Sequence, residues 1–154
     1  MSEDNIVRKI AVIFVTDVVG FSKLMEKNEE QTLRSFRACK EILDNLFAEH
    51  GGRIFNTAGD SVLAEFQSAV SAVICASEFQ KLIKQRNASL DDEDAHMRFR
   101  VGINMGDVIV EDQNLYGDGV NVAARLEALA QPDSVCLSKG VHAFVSQTVE
   151  LNFT

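Results

Sequence analysis

Apolar and polar positions along the chain fall into short blocks, each with its own period. Residues 10–16 (IAVIFVT) form a continuous β-branched run, the pattern of a central strand buried on both faces. From about Ser22 to His50, Leu33, Phe36, Leu43, Leu46 and Phe47 recur at helical spacings, and His50-Gly51-Gly52 stops the pattern. Residues 53–66 (RIFNTAGDSVLAEF) predict two short strands around a turn at Ala58-Gly59-Asp60. Ala69, Ala72, Val73, Ala76, Phe79, Leu82 and Ile83 then form the apolar stripe of a second helix.

The polar, acidic stretch 87–95 (NASLDDEDA) reads as a solvated loop. Met97, Phe99, Val101 and Ile103 alternate strictly and predict a strand, which Asn104-Met105-Gly106-Asp107 turns back into a second strand at 108–110. A further loop leads to a short helix within 117–132, with Val122, Leu126 and Leu129 as its core stripe and Pro132 just past its end. A strand near 134–137 completes the order β-α-β-β-α-β-β-α-β, and a small helix follows from about Ser138. That order predicts an α+β fold: a largely antiparallel sheet with helices on one face.

Composition narrows the function. The 154 residues suit a single domain with one sizeable core. With 23 acidic and 15 basic side chains the net charge is −8, which argues against a nucleic-acid groove or a polybasic membrane patch. An anionic ligand must therefore be attracted locally, by a metal, a helix N-terminus or a few placed cations. Cys39, Cys75 and Cys136 are widely spaced and read as free thiols of a reducing compartment. The N-terminal MSEDNIVRK has no apolar segment of signal-peptide kind, and no run is long enough to span a bilayer. The expected location is the cytoplasm.

Asp17 and Asp60 are conspicuous because each follows a strand-forming segment and lies close to a glycine, Gly20 or Gly59. In a β-α-β-β unit the end of the first strand and the following hairpin turn can lie side by side. Two carboxylates there repel unless a divalent cation separates them, and hard oxygen ligands suit Mg²⁺ or Mn²⁺. Turn or helix capping is the other reading of the same residues. Gly117 and Gly119 permit close backbone approach to a ligand. Asn121 and Arg125, i and i+4 on the next helix, share a face about a quarter turn from the predicted core stripe. That face is either solvated or suited to an anion. No zinc-type His/Cys spacing, phosphate-loop motif or serine-hydrolase elbow is present.

Four ordered segments, FVTDVVGFSKLME, GGRIFNTAGDSVLAEF, RFRVGINMGDVIVED and LYGDGVNVAARLEALA, together resemble the catalytic domain of class III nucleotidyl cyclases, bacterial type. The resemblance spans residues 1–154 and implies a ferredoxin-like plait. It further implies that Asp17, Asp60 and the carbonyl of Val18 hold two Mg²⁺ or Mn²⁺ ions. Amides around Val19, Gly20 and Phe21 would cradle phosphates. Asn121 would orient the ribose, and Arg125 would stabilise charge developing on the α-phosphoryl group. In the family these two act on a nucleotide whose metals belong to the other subunit, so the implied unit is a head-to-tail homodimer with shared sites. The implied reaction is ATP to 3′,5′-cyclic AMP plus pyrophosphate.

The sequence departs from the family pattern in several places. Asn56 stands where many adenylate cyclases have a purine-reading Lys, and Asn114 where they have an Asp. An amide both donates and accepts, so GTP is an alternative to ATP. Family domains usually continue into another strand with a triphosphate-gripping Lys, whereas this sequence stops at VELNFT. These departures leave two alternatives open: a guanylate or unselective cyclase, and a silent nucleotide-binding or dimerisation domain. A regulatory module fused in a longer parent chain is compatible with all three.

Overall fold

Two long antiparallel strands organise the molecule, β1 (Val7–Val18) and β4 (Phe99–Glu111), in unbroken register from Val7↔Val110 to Val18↔Phe99. The computed structural model describes residues 6–147. Residues 148–154, which include the segment VELNFT, lie outside that range. Between the long strands come α1 (Phe21–Lys27), α2 (Glu29–His50), β2 (Arg53–Ala58), β3 (Ser61–Phe66) and α3 (Ala69–Ala88). After β4 follow β5 (Asn114–Tyr116), α4 (Asp118–Leu129), β6 (Val135–Leu137) and α5 (Lys139–Ser146). The sheet order is β2-β3-β1-β4-β5, all antiparallel, and β6 joins β4 in parallel. The α+β, largely antiparallel architecture is the one expected from sequence.

Several local expectations are corrected. The predicted first helix is two helices, because the Asn28 side chain accepts from Gln31 N at 3.0 Å and starts α2 afresh. Asn104–Asp107 do not turn. Met105 and Gly106 pair with Val12 and Ala11, and β1 carries the strand straight through them. The reversal comes later, at Asp112 (φ 56°), before β5, which the sequence reading placed in a loop.

The helices also occupy both faces of the sheet rather than one. Val12, Phe14 and Val18 of β1 pack with α2 and α3, where Phe14 meets Phe47 edge-on at 5.2 Å. Ala11, Ile13 and Val15 point the other way and pack with Val120 and Ala123 of α4. A strand buried on both faces was legible in residues 10–16; which helix covers which face was not.

The buried face of α4 is Gly119, Val120, Ala123 and Glu127. Val122 and Leu126 are only half-buried, and Leu129 is 74% exposed, so the predicted stripe is wrong. The reason is steric. A Cβ on Gly102 of β4 would lie 2.3 Å from Glu127 N and 2.5 Å from Ala123 O, so the helix backbone rests directly on the strand. Only small residues fit such a contact.

Candidate active site

Asp17 and Asp60 do converge. Asp60 sits in the β2–β3 turn, and its Oδ2 accepts from Val18 N at 2.8 Å, which brings the turn against the end of β1. Asp17 lies on the α4 side of the sheet, directly opposite Arg100 in the β1–β4 register, with Arg100 Nη2 3.4 Å from Asp17 Oδ1. Glu127 joins them from α4, its Oε2 3.3 Å from Arg100 Nε. Burial pushes the Glu127 carboxyl well above the usual range, to about 8. The neighbouring Asp17, by hydrogen bonding and by charge, adds to that rise, Asp60 adds a smaller part, and Arg100 offsets some of it. Two carboxyl groups, Asp17 and Glu127, thus contact one guanidinium, with Asp60 close by.

This corner suits a divalent ion. Its donor chemistry fits such an ion, because the carboxylates of Asp17 and Asp60 are hard oxygens and the cation placed beside them among the described residues is Arg100. Among the described residues no group of three or more His, Cys, Asp or Glu is placed to hold a metal ion.

Of the proposed phosphate-binding amides, that of Val19 already donates to Arg98 O at 2.8 Å and is committed within the fold. Gly20, in the left-handed region at φ 66°, and Phe21 open α1. Gly119 approaches protein rather than ligand: a Cβ there would lie 2.7 Å from Asp107 O. Asn56 and Asn114 make local bonds. Asn56 Oδ1 accepts from Thr57 N at 2.9 Å, and Asn114 Oδ1 accepts from Leu115 N at 2.8 Å. Asn114 Nδ2 donates to Tyr116 Oη at 3.0 Å. Asn114 lines a polar cleft of about 340 Å³ with Arg53, Phe55, Glu111 and Tyr116, and Asn56 lies beside it in sequence.

Asn121 and Arg125 are not brought to the carboxylates of their own chain. Both are exposed, and at about 100° per residue they lie close to half a turn from the buried face of α4. Leu129 is exposed with them.

Sequence reasoning missed Arg100, Glu127 and Asn104. Asn104 is buried, and its Nδ2 donates to Gly119 O at 3.0 Å, pinning the start of α4. Arg100 Nη1 donates to Ala128 O at 3.2 Å and pins its end. A Glu on the same helical face as small residues, at Gly119, Ala123 and Glu127, was the available signal.

The model of the adenylate and guanylate cyclase catalytic domain matches residues 3–154, and the chain belongs to that family. It is 46% identical to the putative adenylate cyclase 3 of Rhizobium meliloti (strain 1021), over 99% of this chain and 26% of that protein. It is 33% identical to an adenylate cyclase of Streptomyces coelicolor, over 86% of this chain and 33% of that protein. The chain therefore spans a quarter to a third of those relatives. The crystal structure of an adenylate/guanylate cyclase/hydrolase from Silicibacter pomeroyi superposes with a TM-score of 0.89 at 39% identity, covering 97% of this chain and 87% of that one. No helix among the described residues is long and apolar enough to cross a membrane.

Proposed function

We propose that the chain is the catalytic domain of a purine nucleotide cyclase that converts ATP to 3′,5′-cyclic AMP and pyrophosphate, in a cytoplasmic homodimer with two shared sites. The observation that carries the proposal is the division of the site residues. Asp17 and Asp60 converge on one corner, while Asn121 and Arg125 face away from it. A second copy docked on the outer face of α4 supplies what one chain lacks.

Asp17, Asp60 and the Val18 carbonyl would hold two Mg²⁺ or Mn²⁺ ions, which supply activation of the ribose 3′-hydroxyl and screening of the triphosphate. Asn121 of the other copy orients the ribose. Arg125 of the other copy carries its cation to the α-phosphoryl oxygens, where charge grows as the 3′-oxygen bonds to phosphorus and the bond to pyrophosphate breaks. The amides of Gly20 and Phe21 are the remaining backbone donors for phosphate oxygens. Names of relatives favour ATP, whereas the neutral pair Asn56 and Asn114 favours GTP or an unselective site. The length of the relatives fits a regulatory module elsewhere in a parent chain.

The test is incubation with Mn²⁺ and either ATP or GTP, with detection of cyclic nucleotide. Asp17→Ala and Arg125→Ala should each be inactive alone and should regain activity when mixed, since one site of the heterodimer keeps every group. Absence of cyclic nucleotide from both substrates would leave the silent-domain reading. No rescue in demonstrated heterodimers would refute the shared site.

A further inference from the structure

Arg53 bridges the two edges of the sheet. β2 and β5 stand at opposite ends of the order β2-β3-β1-β4-β5. Even so, Arg53 at the start of β2 donates through Nη1 to Gln113 O, in the turn before β5, at 2.8 Å. Its Nη2 donates to Glu65 Oε1 at 3.0 Å, and Lys9 Nζ lies 2.6 Å from Glu65 Oε2. One planar guanidinium is thus fixed at two points, a carboxylate of β3 and a carbonyl of the β4–β5 turn. The Glu65 side chain is 6% exposed and that of Arg53 44%. Burial works against the Glu65 charge, and hydrogen bonds and charge from Lys9 and Arg53 outweigh it. Lys9 already gives Glu65 a cation, and a half-exposed ion pair adds little by itself. What Arg53 adds is the hold on the turn.

Both proposed base readers sit beside this bridge. Asn114 follows Gln113 directly, and Asn56 lies three residues beyond Arg53 on β2. A bulge at Phe55 shifts the β2–β3 register, so that Ile54 pairs with Ala64 and Asn56 with Leu63. Arg53 and Asn56 therefore share the sheet face of Glu65 and Leu63, which an unbroken strand would not allow. Arg53, Phe55, Asn114 and Tyr116 line the cleft of about 340 Å³. Asn114 uses one acceptor position on Leu115 N and one donor on Tyr116 Oη, which orients its amide and leaves one position of each kind.

We infer that Arg53 is a positioning residue for purine selection: braced by Glu65, it holds the β4–β5 turn so that Asn114 stands at a set distance from Asn56. This rests on the reading above in which these two asparagines meet the base. Two neutral amides offer a donor and an acceptor to either purine, so spacing and orientation, rather than charge, must discriminate. Arg53 acts through Asn114 and not on the reacting atoms.

The test uses Arg53→Gln and Arg53→Lys. Hydrogen–deuterium exchange is followed in residues 111–116, together with thermal unfolding. Binding of ATP and GTP, each labelled on the ribose with a fluorescent methylanthraniloyl group, is measured with Mn²⁺. In Arg53→Gln, exchange in the turn should quicken about 10-fold, and the ratio of the two dissociation constants should change about 3- to 10-fold, the worth of one neutral hydrogen bond. Arg53→Lys keeps the charge beside Glu65 but lacks the fork, so it should show the same two changes with near-parental thermal stability. A residue that merely supports the fold would weaken both nucleotides by one factor and leave their ratio alone. Arg8→Gln, which removes the exposed ion pair to Asp107 at 3.3 Å, should change neither readout; an equal change there would overturn a role particular to Arg53.

Parental exchange in both Arg53 variants overturns the brace. Faster exchange with an unchanged ratio overturns purine selection by Arg53, and Asn114→Ala assigns the cause. A ratio unchanged in Asn114→Ala as well refutes Asn114 as a base reader, whereas a changed one keeps that reading and refutes Arg53 alone. A parent that binds neither nucleotide refutes the nucleotide reading instead, and exchange in the turn then decides the brace.

Discussion

Adding one methyl group at Gly102 should damage activity through a helix rather than through any catalytic group. Gly102 is buried in β4, and its Cβ would lie 2.3 Å from Glu127 N, 2.5 Å from Ala123 O and 2.8 Å from Glu127 Cα. All three are backbone atoms, so no rotamer change relieves the contact. Carbon contacts settle near 3.5–4.0 Å, so α4 must lift by roughly 1 Å. Its ends resist, through Asn104 to Gly119 O at 3.0 Å and Arg100 to Ala128 O at 3.2 Å. Overpacking of this kind costs about 1–3 kcal/mol of stability. A displacement of about 1 Å at Arg125 costs about a hundredfold in turnover when it misplaces a transition-state contact. Urea denaturation gives the first quantity. Cyclic nucleotide formation with Mn²⁺, under conditions where the urea curve shows the variant fully folded, gives the second. A Gly102→Ala protein within about 0.5 kcal/mol of the parent and equally active would refute the close seating of α4 on β4.

Three further outcomes follow from other parts of the molecule. Glu65 is buried between Lys9 at 2.6 Å and Arg53 at 3.0 Å. Burial alone would raise its carboxyl, but hydrogen bonds and charge from Lys9 and Arg53 outweigh that and hold it below the ordinary value of 4.5. Its stabilisation is therefore complete above that unfolded value and disappears as pH falls through the lower folded one. Glu65→Gln should cost about 1–3 kcal/mol at pH 7, and the gap to the parent should close in acid denaturation curves; a gap independent of pH would exclude the ion pairs as its source. Asn56→Lys with Asn114→Asp should raise the ATP-to-GTP ratio of kcat/KM about 5- to 30-fold, since charged partners replace amides now occupied by Thr57, Leu115 and Tyr116. An unchanged ratio means that other groups read the base. Burial pushes the Cys39 and Cys75 thiols up to about 11 and about 12, so a disulfide reagent should titrate no more than one thiol, Cys136, in the native protein and all three in denaturant.

What can be read in this sequence without its structure is whatever depends on local period. Met97, Phe99, Val101 and Ile103 alternate because one side of a strand faces the core. The stripes of α2 and α3 repeat because one side of each helix does, and all of these residues are buried except half-buried Leu33, Phe36 and Leu82. Asp17 and Asp60 stood out locally as well, as charges at the ends of apolar strands. The break at Asn28 and the passage of β4 through Gly106 depend instead on a cap and on a partner strand lying elsewhere in the chain. The face of α4 shows the limit most sharply. Hydrophobicity favoured Val122, Leu126 and Leu129, yet the backbone of Ala123 and Glu127 seats in the hollow at Gly102, Gly119 rests against Gly106 and Asp107, and the larger side chains turn outward. That same seating buries Glu127 against Arg100 and Asp17 and leaves Asn121 and Arg125 facing away from them. Residue types and spacing named the chemical groups; which of them share a corner was decided by how closely one helix could approach one strand.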